Sequence, residues 1–341
     1  MIVDDSLIVR TVLTRLAQAG GDLEVAAVAG DVKRALDALV RIHVDVILLD
    51  LEMPGTGGLE ALPRIIAAAR GARILVVSAL TVDGAEQTLK AMALGAADTL
   101  AKPTSGGFDD GYRDVLLGRI RALGASARGV AKRSEVRPAP TPRGTTKAAE
   151  VIAIGASTGG IHALSQLFAG LPKRLGVPIL VTQHLPSSFM EVFARQLRMA
   201  SGYETLVAED DTLLQPNVIL LAPGDAHMTV VRRSGRYRIR LDRTPQTSGC
   251  TPSVDPMFAS LAAVAGGHAL GVVLSGMGRD GTEGAARLVA AGGSVLAQDE
   301  ASCAVWGMPR AIAEAGLAAA ILPPGEIACR IAASVRGETR R

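Results

Sequence analysis

A chain of 341 residues is too long for one ordinary hydrophobic core, and at about 150 residues per domain its length points to two. Hydrophobic residues make up 48% against 20% charged, and no apolar run approaches the ~20 residues that cross a bilayer, so the composition predicts a soluble, cytoplasmic chain without direct membrane insertion. The formal net charge of +3 calls for no nucleic acid, and Cys250, Cys303 and Cys329 are scattered without a CxxC, which speaks against a disulfide framework or a zinc site and leaves each as core or surface filler.

From the start, Ile2-Val3 reads as a strand tail running into the adjacent carboxylates Asp4 and Asp5. Helical apolar spacing follows over Leu7–Ala19. Strand-length apolar runs at Glu24–Gly30, Val44–Leu51, Ala72–Leu80 and Asp98–Pro103 then alternate with helical spacing at Asp31–Ile42, Gly58–Arg70, Gly84–Gly95 and Gly111–Leu123. This pattern predicts an α/β fold, a doubly wound (βα)5 sheet over residues 1–123, whose functional groups gather at the carboxyl ends of the strands. Those ends carry Asp4 and Asp5, then Asp50, then Ser78, then Lys102 before Pro103.

In that order the first part resembles the receiver domain of two-component response regulators. Clustered carboxylates repel one another and are relieved by a hard divalent cation, so Asp4, Asp5 and Asp50 are expected to hold Mg²⁺. The resemblance implies that Asp50 accepts a phosphoryl group, Lys102 pairs with its oxygens, and Ser78 hydrogen-bonds one of them to start a conformational switch. Two features depart from the receiver pattern. Only Met1-Ile-Val precedes the acid pair, so the first strand is expected to be short at its amino end, as a displaced start would give. Thr99 stands where receivers carry an aromatic switch residue.

Residues 124–149 lose the hydrophobic periodicity and are rich in Ala, Pro, Arg, Thr and Lys, which predicts a flexible basic linker. Arg128, Lys132, Arg133, Arg137, Arg143 and Lys147 read as solvated charges, and no aromatic residue is present for base stacking.

The apolar run Val151-Ile-Ala-Ile enters Gly155-Ala-Ser157-Thr-Gly159, a G-x-S-x-G turn, and a helix is predicted from Ile161. That pattern places Ser157 on an exposed elbow beside the free N–H groups of a helix start. The same turn suits a dinucleotide. That reading requires an acidic residue about 20 residues on, where the next strand, Val177–His184, ends in Gln183-His184. It also requires a Tyr with a Lys four residues later, and Tyr112, Tyr203 and Tyr237 are followed at that spacing by Leu116, Val207 and Leu241. A nucleophilic serine is the better reading.

Further strands are expected at Val218–Pro223, Leu270–Met277 and Ser294–Gln298, with a hairpin at Met228–Arg243 turning at Ser234-Gly235. Together they describe a second parallel-sheet α/β domain over residues 150–341, a serine hydrolase domain with a β-hairpin. For the base, His184 is preferred because it ends the strand next after the serine's unit, and His227, after Ala222-Pro-Gly-Asp225, is the second candidate. His162 reads as a helix-surface residue, and His268 precedes a strand at the wrong end of the sheet. Asp280, at the end of Gly271–Gly281, is the candidate acid, with capping of the next helix as the alternative. The glycines around Met277 let its backbone N–H contribute to an oxyanion hole.

The pieces Gly-Ala-Ser157-Thr-Gly-Gly, Gln183-His184-Leu-Pro, Ala222-Pro-Gly-Asp-Ala-His227, Leu274-Ser-Gly-Met-Gly-Arg-Asp280-Gly, Ala297-Gln-Asp-Glu-Ala-Ser302 and Gly307-Met-Pro309 resemble the chemotaxis protein-glutamate methylesterases. The resemblance implies a phosphorylation-activated hydrolase with Ser157, His184 and Asp280 as its triad and no cofactor in that domain. It implies methylated chemoreceptors as substrate, possible glutamine deamidation, a chemotaxis histidine kinase as phosphoryl donor, and an unphosphorylated receiver that covers the substrate groove. A receiver-bearing scaffold with an inactive second domain is the alternative, and intact Ser157, His184 and Asp280 count against it.

Overall fold

The computed structural model describes residues 1–55, 57–78, 82–103, 108–129 and 147–337. Two compact units result, Met1–Ser134 and Glu135–Arg341. In the first, the elements are β1 (Ile2–Val3), α1 (Leu7–Gln18), β2 (Val28–Ala29), α2 (Val32–Arg41), β3 (Val46–Leu49), α3 (Gly58–Ala68), β4 (Arg73–Ser78), α4 (Val82–Leu94), β5 (Asp98–Ala101) and α5 (Asp110–Gly129). Among the described residues they form a parallel five-stranded sheet in the order β2-β1-β3-β4-β5. That is the doubly wound order expected from the alternation of strand and helix patterns. β3 is buried along its whole length, as a central strand covered on both faces must be.

Local chemistry starts the helices where the pattern places them. Ser6 caps α1 by accepting from the Val9 N–H, and Asp31 caps α2 by accepting from the Arg34 N–H. Two differences from the sequence reading stand out. β2 covers Val28–Ala29 alone rather than Glu24–Gly30. α5 passes Leu123 and runs to Gly129, because Ala, Ser and Arg after Gly124 sustain a helix although they lack an apolar stripe. Ala79 and Leu80, at the end of the predicted fourth strand, and linker residues 130–146, with Lys132, Arg133, Arg137 and Arg143, lie outside the described residues.

The second unit holds β6 (Val151–Ala156), α6 (Gly160–Ala169), β7 (Ile179–Gln183), α7 (Ser187–Ser201), β8 (Glu204–Val207), β9 (Val218–Leu221), β10 (His227–Arg233), β11 (Arg236–Asp242), α8 (Val254–Val264), β12 (Ala269–Val273), α9 (Thr282–Ala290), β13 (Ser294–Gln298), α10 (Met308–Glu314), β14 (Ala320–Leu322) and α11 (Pro324–Val335). Its seven-stranded parallel sheet has the order β14-β13-β12-β6-β7-β9-β8 among the described residues, and β10 and β11 form the antiparallel hairpin with Ser234-Gly235 at its turn. Met257, Phe258 and Leu261 of α8 are fully buried with Val151, Ala153 and Val273 of the sheet in one core cluster. This packing fixes α8 beneath the ends of β6 and β12.

Candidate active site

β6 lies between β7 and β12, with register Ala156↔Gln183 on one side and Val273↔Gly155 on the other. Chain order departs in opposite directions from this pair of neighbours, so β6 marks a topological switch point where loops diverge and leave a crevice. Ser157 leaves β6, His184 leaves β7, and Asp280 sits in the loop after β12. Adjacent parallel strands thereby deliver three distant residues to one edge.

The backbone sets the serine. Its N–H donates to the Ser275 carbonyl at 3.0 Å, and its own carbonyl accepts from the Gly160 N–H at 2.8 Å and from Gln183 Nε2 at 2.9 Å. Gly159 has φ +76°, and a Cβ there would lie 2.4 Å from Ala304 Cβ, so this tight turn admits only glycine.

His184 Nδ1 lies 3.1 Å from Ser157 Oγ, and Nε2 lies 2.8 Å from Asp280 Oδ2. An ionised carboxylate can only accept, so the neutral ring carries its proton on Nε2 and turns the Nδ1 lone pair to the serine hydroxyl. The ring is turned opposite to the chymotrypsin arrangement, in which Nε2 faces the serine. Burial opposes the imidazolium, yet the hydrogen bond to Asp280 and the contact with Cys250 outweigh it and raise His184 from 6.5 to about 9.

Asp280 is 3% exposed and sits in a nest of donors. Ser253 Oγ reaches Oδ1 at 2.6 Å and the Val254 N–H reaches Oδ2 at 2.7 Å, with the Gly281 and Asp255 N–H groups at 3.0 and 3.4 Å from Oδ1. Val254 and Asp255 open α8, whose N-cap residue Ser253 makes no side-chain cap. The carboxylate therefore fills the amino end of α8 from outside, where the helix dipole favours an anion. Burial alone would raise its pKa; His184, Ser253 and the Val254 N–H reverse that and lower it from 3.8 to about 2. The N-cap of α9 is Gly281, so Asp280 is not that helix's cap.

His227 is not placed as a base. Its Nδ1 accepts from the Ser253 N–H at 2.9 Å and its Nε2 donates to the Thr244 carbonyl at 3.0 Å, so both ring nitrogens are spent on backbone. His162 pairs with Gln166 on α6, and His268 faces Ala148 and Glu150.

The loop after β12 passes directly over the nucleophile. A Cβ on Gly276 would lie 2.8 Å from Ser157 Cβ and 2.3 Å from Met308 Sδ. The Gly276 N–H donates to Val305, and its carbonyl accepts from the Gly307 and Met308 N–H groups at 3.1 and 2.8 Å, which clamps the loop. Met277 comes next and is 49% exposed, one residue beyond the glycine that packs against Ser157. Ser275, Gln298 and Ser253 were not singled out in the sequence, although Ser275 and Gln298 lie inside quoted motifs. Ser275 Oγ donates to the Thr158 carbonyl at 2.7 Å, and its N–H donates to Gln298 Oε1 at 2.8 Å.

In the first unit, Asp4, Asp50, Ser78 and Lys102 meet at the carboxyl edge of the sheet. Lys102 Nζ lies 2.6 Å from Asp50 Oδ2 and 2.8 Å from Asp4 Oδ2. Burial raises the Asp50 pKa, the Asp4 charge adds to this, and Lys102 offsets part of it. Ser78 Oγ pairs with Thr88 Oγ1 at 2.8 Å. Carboxylate oxygens of Asp4, Asp5 and Asp50 lie within 4.8 Å of one another, and buried Asp4 Oδ2 has the ion pair but no hydrogen bond. An all-oxygen set of three carboxylates, with only one ammonium against them, fits a hard cation such as Mg²⁺.

Comparison with known proteins adds to this geometry. Residues 152–331 match the family model described as CheB methylesterase, and residues 1–107 match the response regulator receiver domain. The chain is 45% identical over 342 residues to the protein-glutamate methylesterase/protein-glutamine glutaminase 2 of Caulobacter vibrioides, covering 98% of each chain. It is 40% identical over 354 residues to the protein-glutamate methylesterase/protein-glutamine glutaminase of Azospirillum brasilense, covering 96% of this chain and 90% of that one. The crystal structure of the Thermotoga maritima CheB methylesterase catalytic domain superposes with a TM-score of 0.53 at 34% identity, covering 54% of this chain and 97% of that one. Among the described residues no helix is long and apolar enough to cross a membrane.

Proposed function

Because the chain belongs to the CheB methylesterase family, with a response-regulator receiver domain ahead of the esterase, we propose that it hydrolyses glutamyl methyl esters on chemoreceptors under control of phosphorylation at Asp50. Deamidation of receptor glutamines is the same acyl transfer with ammonia as leaving group. The observation that carries the reading is the unbroken chain from Ser157 Oγ through the His184 ring to Asp280.

Ser157 Oγ attacks the side-chain carbonyl while His184 Nδ1 takes its proton, and Asp280 holds the Nε2–H and stabilises the imidazolium. The Met277 backbone N–H, carried over the serine by the clamped loop, is the candidate oxyanion donor. Methanol leaves with the proton from His184. A water molecule, deprotonated at Nδ1, then cleaves the acyl-enzyme and regenerates Ser157.

In the receiver, Asp50 takes the phosphoryl group from a histidine kinase of the same pathway. Asp4, Asp5 and Asp50 would hold a Mg²⁺ ion, which would supply charge neutralisation at the phosphoryl oxygens. Lys102, already at Asp50 Oδ2, keeps its charge beside the modified carboxylate, and Ser78 exchanges its Thr88 partner for a phosphoryl oxygen. The receiver expected over 1–123 extends through α5 to Gly129, and a basic linker joins it to the hydrolase domain of 150–341. The test is methanol release from methylated receptor fragments by wild type and Ser157→Ala, with release in the variant overturning the nucleophile.

A further inference from the structure

Cys250 makes and breaks no bond in the hydrolysis, yet it stands beside the triad. One donor atom each from His184, Cys250 and Asp280 fall within 4.8 Å of one another, and Cys250 is one of the groups whose contact favours a charged His184. The thiol is partly buried and in no disulfide, its Sγ lies 3.7 Å from the Ser248 carbonyl, and it also hydrogen-bonds the His184 ring. This differs in kind from the all-oxygen group of the receiver. A thiolate, an imidazole and a carboxylate form the mixed set that Zn²⁺ takes, usually with a fourth, open position.

We propose that His184, Cys250 and Asp280 form an inhibitory site for a thiophilic divalent cation of the Zn²⁺ class. Tetrahedral ligands of Zn²⁺ stand about 3.3–3.8 Å apart, given bonds of about 2.0–2.3 Å, so closure takes a shift of about 1 Å in the loop bearing Cys250 and a smaller opening between His184 Nε2 and Asp280 Oδ2, now 2.8 Å apart. The proton balance explains the inhibition. In the catalytically active form the neutral ring carries its proton on Nε2, toward Asp280. When the cation binds Nε2, the single ring proton must sit on Nδ1, facing Ser157, and the Cys250 thiol proton passes to solvent. The ring then has no lone pair for the serine hydroxyl. The base is lost while the nucleophile and the fold stay intact. Because binding displaces protons from its ligands, it tightens as pH rises. The inference rests on the triad only through the rate; binding itself is read separately.

The experiment uses the full chain as wild type, Cys250→Ser and, as a thiol control, the exposed Cys329→Ser. Co²⁺ serves as the spectroscopic probe and Zn²⁺ as the inhibitor, with each variant's rate normalised to its own metal-free value. Wild type and Cys329→Ser are expected to give a thiolate-to-cobalt absorption band, and Cys250→Ser to lose it. Zn²⁺ is expected to lower hydrolysis by wild type reversibly to EDTA, and to require roughly tenfold more metal for Cys250→Ser. A band that persists in Cys250→Ser, or its absence from wild type, overturns the site whatever the esterase assay gives. A wild-type band without a change in a measurable hydrolytic rate overturns the inhibitory role.

Discussion

Ser253 Oγ donates to Asp280 Oδ1 at 2.6 Å, and the same residue's N–H donates to His227 Nδ1 at 2.9 Å. The triad acid is thus held by a serine that is itself held by a buried histidine. Removing the hydroxyl leaves a buried carboxylate short of one donor, a loss of about 1.5–3 kcal/mol for a bond to a charged group. Ser253→Ala is expected to lower kcat about 10- to 100-fold with little change in KM, and Ser253→Thr to restore part of it. A KM effect alone would place Ser253 in substrate binding.

The elevated pKa of His184 sets the pH response. Hydrolysis needs the neutral ring, so kcat/KM is expected to climb with pH and level off above about 9. Cys250 contributes to the elevation, so Cys250→Ser is expected to move the midpoint down. A profile with its midpoint at 6.5 in both proteins would show that the ring does not feel these neighbours.

Asp255 adds a stability effect of opposite sign to the triad acid. Burial and the Asp280 charge raise its pKa from 3.8 to about 6, so the folded state holds this proton more tightly than the unfolded chain. The associated stability is present below 3.8 and lost as pH rises through about 6. Asp255→Asn keeps an acceptor for the Gly284 N–H and is expected to gain on the order of 1 kcal/mol relative to wild type between pH 4 and pH 7, after allowance for solvent screening. Thermal unfolding at the two pH values reads the difference.

Gly276 tests the clamped loop. Its Cβ would overlap Ser157 Cβ and Met308 Sδ, so Gly276→Ala is expected to cost about 1–3 kcal/mol of stability and to cut kcat by about 100-fold or more through displacement of the Met277 N–H. Unchanged kcat would remove that N–H from the oxyanion hole.

Most of the fold was legible because parallel strands buried on both faces read as continuous apolar runs. Val46–Leu49 and Val151–Ala156 are examples, each followed by its polar residue. The same logic put Asp50, Ser157 and His184 at the carboxyl ends of their strands, where the structure has them. β8 was missed because Glu204-Thr-Leu-Val is an edge strand with alternating exposure, and β14 because three half-buried residues carry no period. The two candidate histidines separated only in three dimensions, since His227 is claimed by Ser253 and Thr244 from other parts of the chain. Cys250 read as filler for the same reason. Nothing in its sequence neighbourhood signals the approach to His184.

The receiver gate makes a separate prediction. Asp50→Asn keeps the shape of the cluster but cannot be phosphorylated, so a small phosphoryl donor with Mg²⁺ is expected to raise the hydrolase rate of wild type and not of the variant. Equal stimulation of both would move the acceptor elsewhere.

The most direct test of the triad is methanol release from methylated chemoreceptor fragments by wild type, Ser157→Ala and His184→Gln under donor-stimulated conditions. Wild type is expected to release methanol, and either variant to fall by at least about 10³-fold while unfolding at the wild-type temperature. Release by Ser157→Ala at a rate near that of wild type would contradict the account at its centre.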